Sequence, residues 1–219
     1  VSFTHMNEEE RKLLRQQIGM LFQGSALFDS MTVEDNVKFP LDMFSKEKQS
    51  EKLKKVNEVL ERVNLVGSNK KYPAELSGGM KKRVGLARAL VMKPKYLFCD
   101  EPNSGLDPQT SMVIDKLIQE LTLDFNITTV VVTHDMNSVM EIGDHIIYLH
   151  QGKKEWEGSN KDIIYSENKL LNNFINFAAY DYDTVKQALI DYVKLYHPEQ
   201  FQNFIESDEL IAILESFAY

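Results

Sequence analysis

The order of apolar and polar positions divides residues 1–165 into alternating helical and extended segments. That is the pattern of an α/β domain with a mostly parallel sheet. Glu8 to Gln17 reads as a short polar helix or loop, and Ile18-Gly-Met-Leu-Phe22 as a buried strand. Thr32-Val-Glu-Asp35 has the form of a capping box opening a short helix, which Pro40 is expected to stop. Residues 46–64 carry Leu53, Val56, Leu60 and Val63 at helical spacing, while Lys52, Lys54 and Lys55 read as a solvated face. A further helix is expected over residues 79–92. Tyr96-Leu-Phe-Cys99 is a short, wholly apolar strand. Asp107-Pro108 caps and starts a helix reaching about Asp124. Ile127 to Thr133 is a β-branched strand. His145–Leu149 and Lys153–Trp156 are expected to pair as a hairpin turning at Gln151-Gly152, with Trp156 packed in it.

Composition narrows the class. A chain of 219 residues that is 43% apolar can bury a core without disulfide or metal staples. No apolar run reaches the length of a membrane span, and residues 7–17, NEEERKLLRQQ, lack the apolar stretch of a secretory signal. One cysteine, Cys99, excludes an intramolecular disulfide and a cysteine zinc site; it fits a reducing compartment and reads as an inert core thiol. His5, His145, His150 and His197 are not spaced as a metal set. A net charge of −8 argues against a nucleic-acid partner. Residues 166–219 hold nine acids against three lysines and ten of the 22 aromatics. So sharp a shift predicts a separate acidic, aromatic-rich helical tail.

Candidate chemistry gathers at the ends of the predicted strands, where open α/β sheets bind ligands. Leu97-Phe-Cys-Asp100-Glu101-Pro102 closes a strand with adjacent carboxylates. Burying two acids there is costly unless a cation or a reacting proton needs them, so Asp100 reads as a Mg²⁺ ligand and Glu101 as a general base. A solvated acidic turn is the plain alternative. Leu76-Ser77-Gly78-Gly79-Met80 opens a helix, whose free N–H groups and positive dipole end suit an anion; an ordinary N-cap is the alternative. Ser104-Gly-Leu-Asp107 follows the carboxylates, and Val130-Val-Val-Thr-His134-Asp135 ends the next strand with an imidazole able to meet a phosphate. Phe22-Gln23 ends the first strand, where an amide could sense Mg²⁺ or the attacking water. Arg83 and Arg88, on the helix after the glycines, read as salt-bridging or solvated.

Taken in order, Gln23, LSGGM, LFCDEP, SGLD and VVTHD resemble the ATPase subunit of ABC transporters over residues 1–165. The resemblance implies a P-loop NTPase (RecA-like) α/β core with a helical subdomain at about residues 41–92. It makes Gln23 the Q-loop glutamine, which with Asp100 would serve Mg²⁺. Leu76, Ser77, Gly78 and Gly79 become the signature that meets the γ-phosphate on a partner subunit. Asp100 and Glu101 become the Walker B aspartate and catalytic glutamate, Asp107 the D-loop residue, and His134 the switch histidine. It also implies ATP and Mg²⁺ as ligands, a head-to-tail dimer with a second ATPase subunit, an integral membrane permease, and a place on the cytoplasmic face of the bacterial inner membrane. Ala-Leu-Phe-Asp29 and Asp35-Asn-Val-Lys-Phe-Pro-Leu41 are similar to the ATPases of Mce-linked phospholipid transporters. That narrower resemblance implies an Mce-type substrate-binding protein and phospholipid as indirect partners. Importers of other substrates share part of the same loop and stay open as an alternative.

The phosphate cradle G-x-x-x-x-G-K-[ST] does not occur in the 219 residues. In the family it lies well upstream of the Q-loop glutamine, whereas 22 residues precede Gln23 here. The expectation is an N-terminally truncated ATPase domain, residues 1–178, whose sheet is left with apolar surface uncovered. These residues cannot hold nucleotide in a Walker A of their own, and at most lend LSGGM to a partner's site. Residues 166–178 still resemble the family's end, with Leu170, Leu171, Phe174 and Phe177 on a short helix. Residues 179–219 are expected to form a helical hairpin, either covering apolar surface or serving as a dimerisation or regulatory element. Two rival readings remain. A soluble ABC-type ATPase in DNA repair or translation would usually carry a second ATPase unit or long coiled-coil insertions, which are not seen. A catalytically incompetent half-site subunit would have no need of Glu101 and His134.

Overall fold

Helix signals in the chain start with Asn7, whose side chain accepts from the Glu10 N–H at 2.9 Å while Glu10 answers to the Asn7 N–H, a complete capping box. It opens α1 (Glu8–Gln16), followed by β1 (Ile18–Leu21), α2 (Val33–Phe44), α3 (Gln49–Arg62) and a 3₁₀ turn (Pro73–Glu75). Next come α4 (Gly78–Leu90), β2 (Tyr96–Asp100), α5 (Pro108–Asp124), β3 (Thr128–Val132) and α6 (Met136–Ile142). The order continues with β4 (Ile146–His150), β5 (Lys153–Gly158), a 3₁₀ turn (Ile163–Tyr165) and α7 (Lys169–Ala179). The structure, a computed structural model, describes residues 5–179. The helices expected beyond residue 179 lie outside the described residues. No helix among the described residues is long and apolar enough to cross a membrane.

The chain divides into two compact units between His134 and Asp135. In the first, β1, β2 and β3 form a parallel sheet in that order, with Ile18 opposite Tyr96 and Tyr96 opposite Thr128. The parallel sheet matches expectation, but the strands are not buried on both faces. Leu21, Leu97 and Cys99 are buried, whereas Ile18, Met20, Phe22, Tyr96, Phe98, Val130 and Val132 point the other way and are exposed. The period-2 pleat separates the two sets, so apolar runs that suggest a fully buried strand are here half-covered ones.

The covered face packs on α4, and two glycines set how close it comes. A Cβ on Gly19 would sit 2.4 Å from the Ala89 carbonyl oxygen, and one on Gly85 would sit 2.7 Å from a Leu21 methyl. Real Cβ atoms do not come that near, so β1 reaches the α4 backbone at Gly19, and the Leu21 side chain lies on α4 at Gly85, only because these positions lack side chains.

The helical segment α2–α4 buries Val33, Val37, Leu41, Val56, Leu60 and Leu86. Thr32 caps α2 as expected, its hydroxyl accepting from the Asp35 N–H. Pro40 does not stop that helix, which runs on to Phe44. The missing N–H removes one bond, but Leu41 is buried just beyond it and its carbonyl takes the Ser45 N–H at 2.9 Å. Lys52, expected in solvent, is instead buried, with its ammonium on Asp42 at 2.9 Å; its long stem lines the core. Asn36 is fully buried and organises the loop before its own helix. Its Oδ1 accepts from the Phe28 N–H at 2.8 Å, and its Nδ2 donates toward the carbonyls of Phe28, Met31 and Thr32 at 3.1, 3.2 and 3.0 Å.

Cys99 is buried as expected. Burial first, and the nearby Asp115 carboxylate second, push its thiol up to about 12 against an opposing pull from Lys82. The folded state therefore favours the neutral thiol. Its stabilising contribution is whole below the free-thiol range near pH 9 and is lost as pH rises from there toward 12. Native protein at pH 8 should resist alkylation at Cys99 by iodoacetamide, and should be labelled once urea unfolds it. Labelling of the native protein at the unfolded rate would show an open thiol.

In the second unit β4 and β5 form the expected antiparallel hairpin, and Gln151 and Gly152 at its turn have positive φ values of 48° and 76°. Met136, Ile163 and Leu171 form its buried cluster, with Ile146, Tyr148, Trp156 and Phe174 packed around them. Helix α6, capped by the Asp135 side chain, is not among the elements the sequence pattern predicts.

Candidate active site

Parallel strands bring their carboxyl ends to one edge, and the candidate residues meet there. Gln23 lies two residues past β1, Asp100 ends β2, Glu101 follows it, and His134 lies two residues past β3. The Glu101 N–H donates to the Val132 carbonyl at 2.9 Å, which ties the ends of β2 and β3 together. Glu101 Oε1 and His134 Nδ1 are 2.8 Å apart, with the imidazole largely exposed and the carboxylate mostly covered. Gln23 Nε2 donates to Ser104 Oγ at 3.2 Å, and the Ser104 N–H donates to the Glu101 carbonyl at 3.2 Å. Glu101 has a positive φ of 46°, in the left-handed region that a residue with a side chain rarely adopts. Backbone and side-chain partners thus hold a strained residue at the point where chemistry is expected.

The glycine-rich segment forms as expected. Leu76 is buried and anchors it, and Ser77 is the N-cap of α4, its Oγ accepting from the Met80 N–H at 3.3 Å. A Cβ on Gly79 would meet a Thr110 methyl at 2.7 Å, and one on Gly78 a Leu106 methyl at 3.1 Å. The start of α4 therefore lies against the segment that follows the carboxylates. Asp107, in that segment, caps α5. Its carboxylate accepts from the Thr110 hydroxyl at 2.5 Å and the Thr110 N–H at 3.0 Å, and those bonds hold its titration below the usual carboxylate range.

Two cations of α4 escaped sequence reasoning. Lys82 is buried; it donates to the Gln23 carbonyl, and to the Glu101 carbonyl at 3.1 Å. Burial pushes its ammonium below the usual lysine range, while the charges of Glu101 and Asp100 pull the other way. Arg88, expected to be solvated or salt-bridged, instead donates to the carbonyls of Ala26 and Ser25 at 2.7 and 2.6 Å. Those two residues have positive φ values of 45° and 61°. Arg88 thus fixes the strained loop that follows Gln23, and burial lowers its titration. The only hint in the sequence is that both cations lie on the helix face that carries Gly85.

Among the described residues no group of three or more His, Cys, Asp or Glu side chains is placed to hold a metal. A Mg²⁺ that arrives on substrate phosphates needs one or two protein oxygens rather than a cage. Asp100, half-buried at a strand end, and the amide oxygen of Gln23 are hard donors of that kind, so the residues fit a substrate-borne Mg²⁺.

A family model described as ABC transporter matches residues 2–104. A solved structure of the dimeric ATP-binding cassette MJ0796, in a post-hydrolysis state bound to ADP and Pi, is 32% identical. The match covers 73% of this chain and 70% of that one, with a TM-score of 0.65. The chain belongs to the ATP-binding cassette family of ABC transporters, and its α/β core is of the P-loop NTPase class. Methionine import ATP-binding protein MetN 2 of Oceanobacillus iheyensis is 42% identical over 77% of this chain and 49% of its own length. A protein of Mycobacterium leprae named probable ribonucleotide transport ATP-binding protein mkl is 40% identical over 74% of this chain and 47% of its own. The chain spans about half the length of the curated relatives it matches.

Proposed function

We propose that this chain forms part of the ATP-hydrolysing subunit of an ABC importer. The observation that carries the reading is the Glu101–His134 contact of 2.8 Å at adjacent strand ends, with Asp100 beside it. Glu101 accepts a proton from the water that attacks the terminal phosphate. His134 holds that carboxylate in place and lies beside the phosphate. Gln23 orients the water or serves the cation together with Asp100. Mg²⁺, when it arrives with the nucleotide, offsets charge on the phosphate oxygens. Ser77, Gly78 and Gly79 offer backbone N–H groups to the terminal phosphate of a nucleotide held by a second subunit. Leu76 seats that turn in the core, and Asp107 sets the start of α5 next to it. The 219 residues carry no G-x-x-x-x-G-K-[ST], so the phosphate cradle itself comes from other residues.

The partners in this reading are a second ATPase subunit and a membrane permease, which places the chain on the cytoplasmic face of the membrane. A small polar solute of the methionine class is the cargo that the relative's name supports. The phospholipid reading rests on residues 26–41 alone, and the relatives reported above carry other cargo names. The assembled transporter, reconstituted in liposomes, should accumulate labelled methionine when ATP is supplied on the side of this chain. ATP-driven movement of phospholipid without methionine uptake would reverse the choice.

A further inference from the structure

Lys82 is a buried cation that the proposed chemistry does not use. It is 4% exposed, it lies one turn into α4, and its ammonium reaches two backbone carbonyls rather than a carboxylate. One belongs to Gln23, past the end of β1, and the other to Glu101, past the end of β2. The close approach of α4 to β1 at Gly19 and Gly85 lets a lysine stem span that distance. An ammonium has three N–H donors and no acceptor, so it can serve two carbonyls at once. Bonds from a charged donor are about twice as strong as neutral ones. The link also closes a ring. Gln23 Nε2 donates to Ser104 Oγ, the Ser104 N–H donates to the Glu101 carbonyl, and Lys82 joins that carbonyl to the backbone of Gln23.

We propose that Lys82 is a positioning residue for hydrolysis, holding Gln23 and Glu101 in one fixed arrangement by bridging their carbonyl oxygens. The inference rests on the reading of Glu101 as the general base. Glu101 sits at φ 46°, a conformation that relaxes unless its neighbours over-determine it. Its carbonyl keeps the Ser104 N–H when Lys82 is removed, but the Gln23 carbonyl loses its bond to the ammonium and the two strand ends lose their common tie. A misplacement of about 1 Å at a catalytic group can cost on the order of 10²-fold in rate.

The test is steady-state ATP hydrolysis by the assembled transporter carrying Lys82→Met, Lys82→Arg, Glu101→Gln, and Lys82→Met with Glu101→Gln. Lys82→Met should lower kcat about 10- to 100-fold and leave KM for ATP within about twofold, because it disturbs positioning and not binding. Lys82→Arg keeps the charge and the donors and should recover most of that loss. In the Glu101→Gln background Lys82→Met should cost much less than in the wild type, only what the placement of Gln23 still contributes, since the base it holds is already removed. A lysine that merely held the fold together would instead reduce the folded fraction in both backgrounds alike. If Lys82→Met does not fold, Lys82→Gln carries the same comparison. A wild-type kcat in the Met variant, or losses that multiply in full in the double variant, overturns the proposal. A wild-type transporter that hydrolyses no ATP overturns the base assignment beneath it, and is told apart by the wild-type control.

Discussion

Glu101→Gln is expected to lower ATP hydrolysis by the assembled transporter about 10²–10⁴-fold, the span that a positioned general base contributes. The substitution keeps the size of the side chain and the backbone φ of 46°. It also keeps an oxygen that can face His134 Nδ1, now 2.8 Å from the carboxylate. What it removes is the proton acceptor. Thermal stability should therefore change little, and the assembly should still bind Mg-ATP, so the loss should appear in kcat. Hydrolysis rates and equilibrium nucleotide binding, measured on the same preparation, separate the two. A fall of less than about tenfold would mean that the proton leaves by another route.

Asn36→Leu should have the largest effect on folding, about 3 kcal/mol, because buried Asn36 leaves part-buried partners without a hydrogen bond, at up to about 1–3 kcal/mol each. Leucine has a similar size, so little of the loss comes from a cavity. The Phe28 N–H loses its acceptor at 2.8 Å and the Met31 carbonyl loses its donor at 3.2 Å, while the Phe28 carbonyl keeps the Met31 N–H at 3.1 Å. These groups lie in the loop between β1 and α2 and are not part of any regular element that could take them up. For a chain of this size the melting temperature should fall by roughly 6–12 °C. Urea unfolding of the wild type and variant measures the difference directly, and a loss below about 1 kcal/mol would show that the loop finds other partners.

Asn36 also marks where sequence reading stops. Elements with local signals were legible: Thr32 and Asp107 cap their helices through the residue three positions on, and Gln151-Gly152 turns its hairpin. The strand-end cluster was legible because parallel strands carry their C-terminal residues to one edge whatever lies between them. Residues that act over long stretches of chain were not. Lys82 reaches back 59 residues to Gln23, and Arg88 reaches back 63 to Ser25. In a linear pattern each is only a charge on a helix, and the default for such a charge is solvent. Asn36 looks like any polar residue in a helix's second turn. Pro40 misled for the converse reason: its local rule holds, but burial of Leu41 outweighs one lost hydrogen bond. Apolar sheet left uncovered is an expectation the sequence supports; the alternation of exposed Ile18, Met20 and Phe22 with buried neighbours is not.

The left-handed backbone at Glu101 sets the demands of catalysis against those of durability. A side chain held there costs the fold on the order of 1–3 kcal/mol, and glycine at this position would be free of that cost. Sequence optimisation or directed evolution that rewards heat resistance alone would thus drift toward replacing the carboxylate proposed as the general base. Any screen for hardier versions of this protein has to score turnover alongside survival, or it will select a sturdier and idle protein.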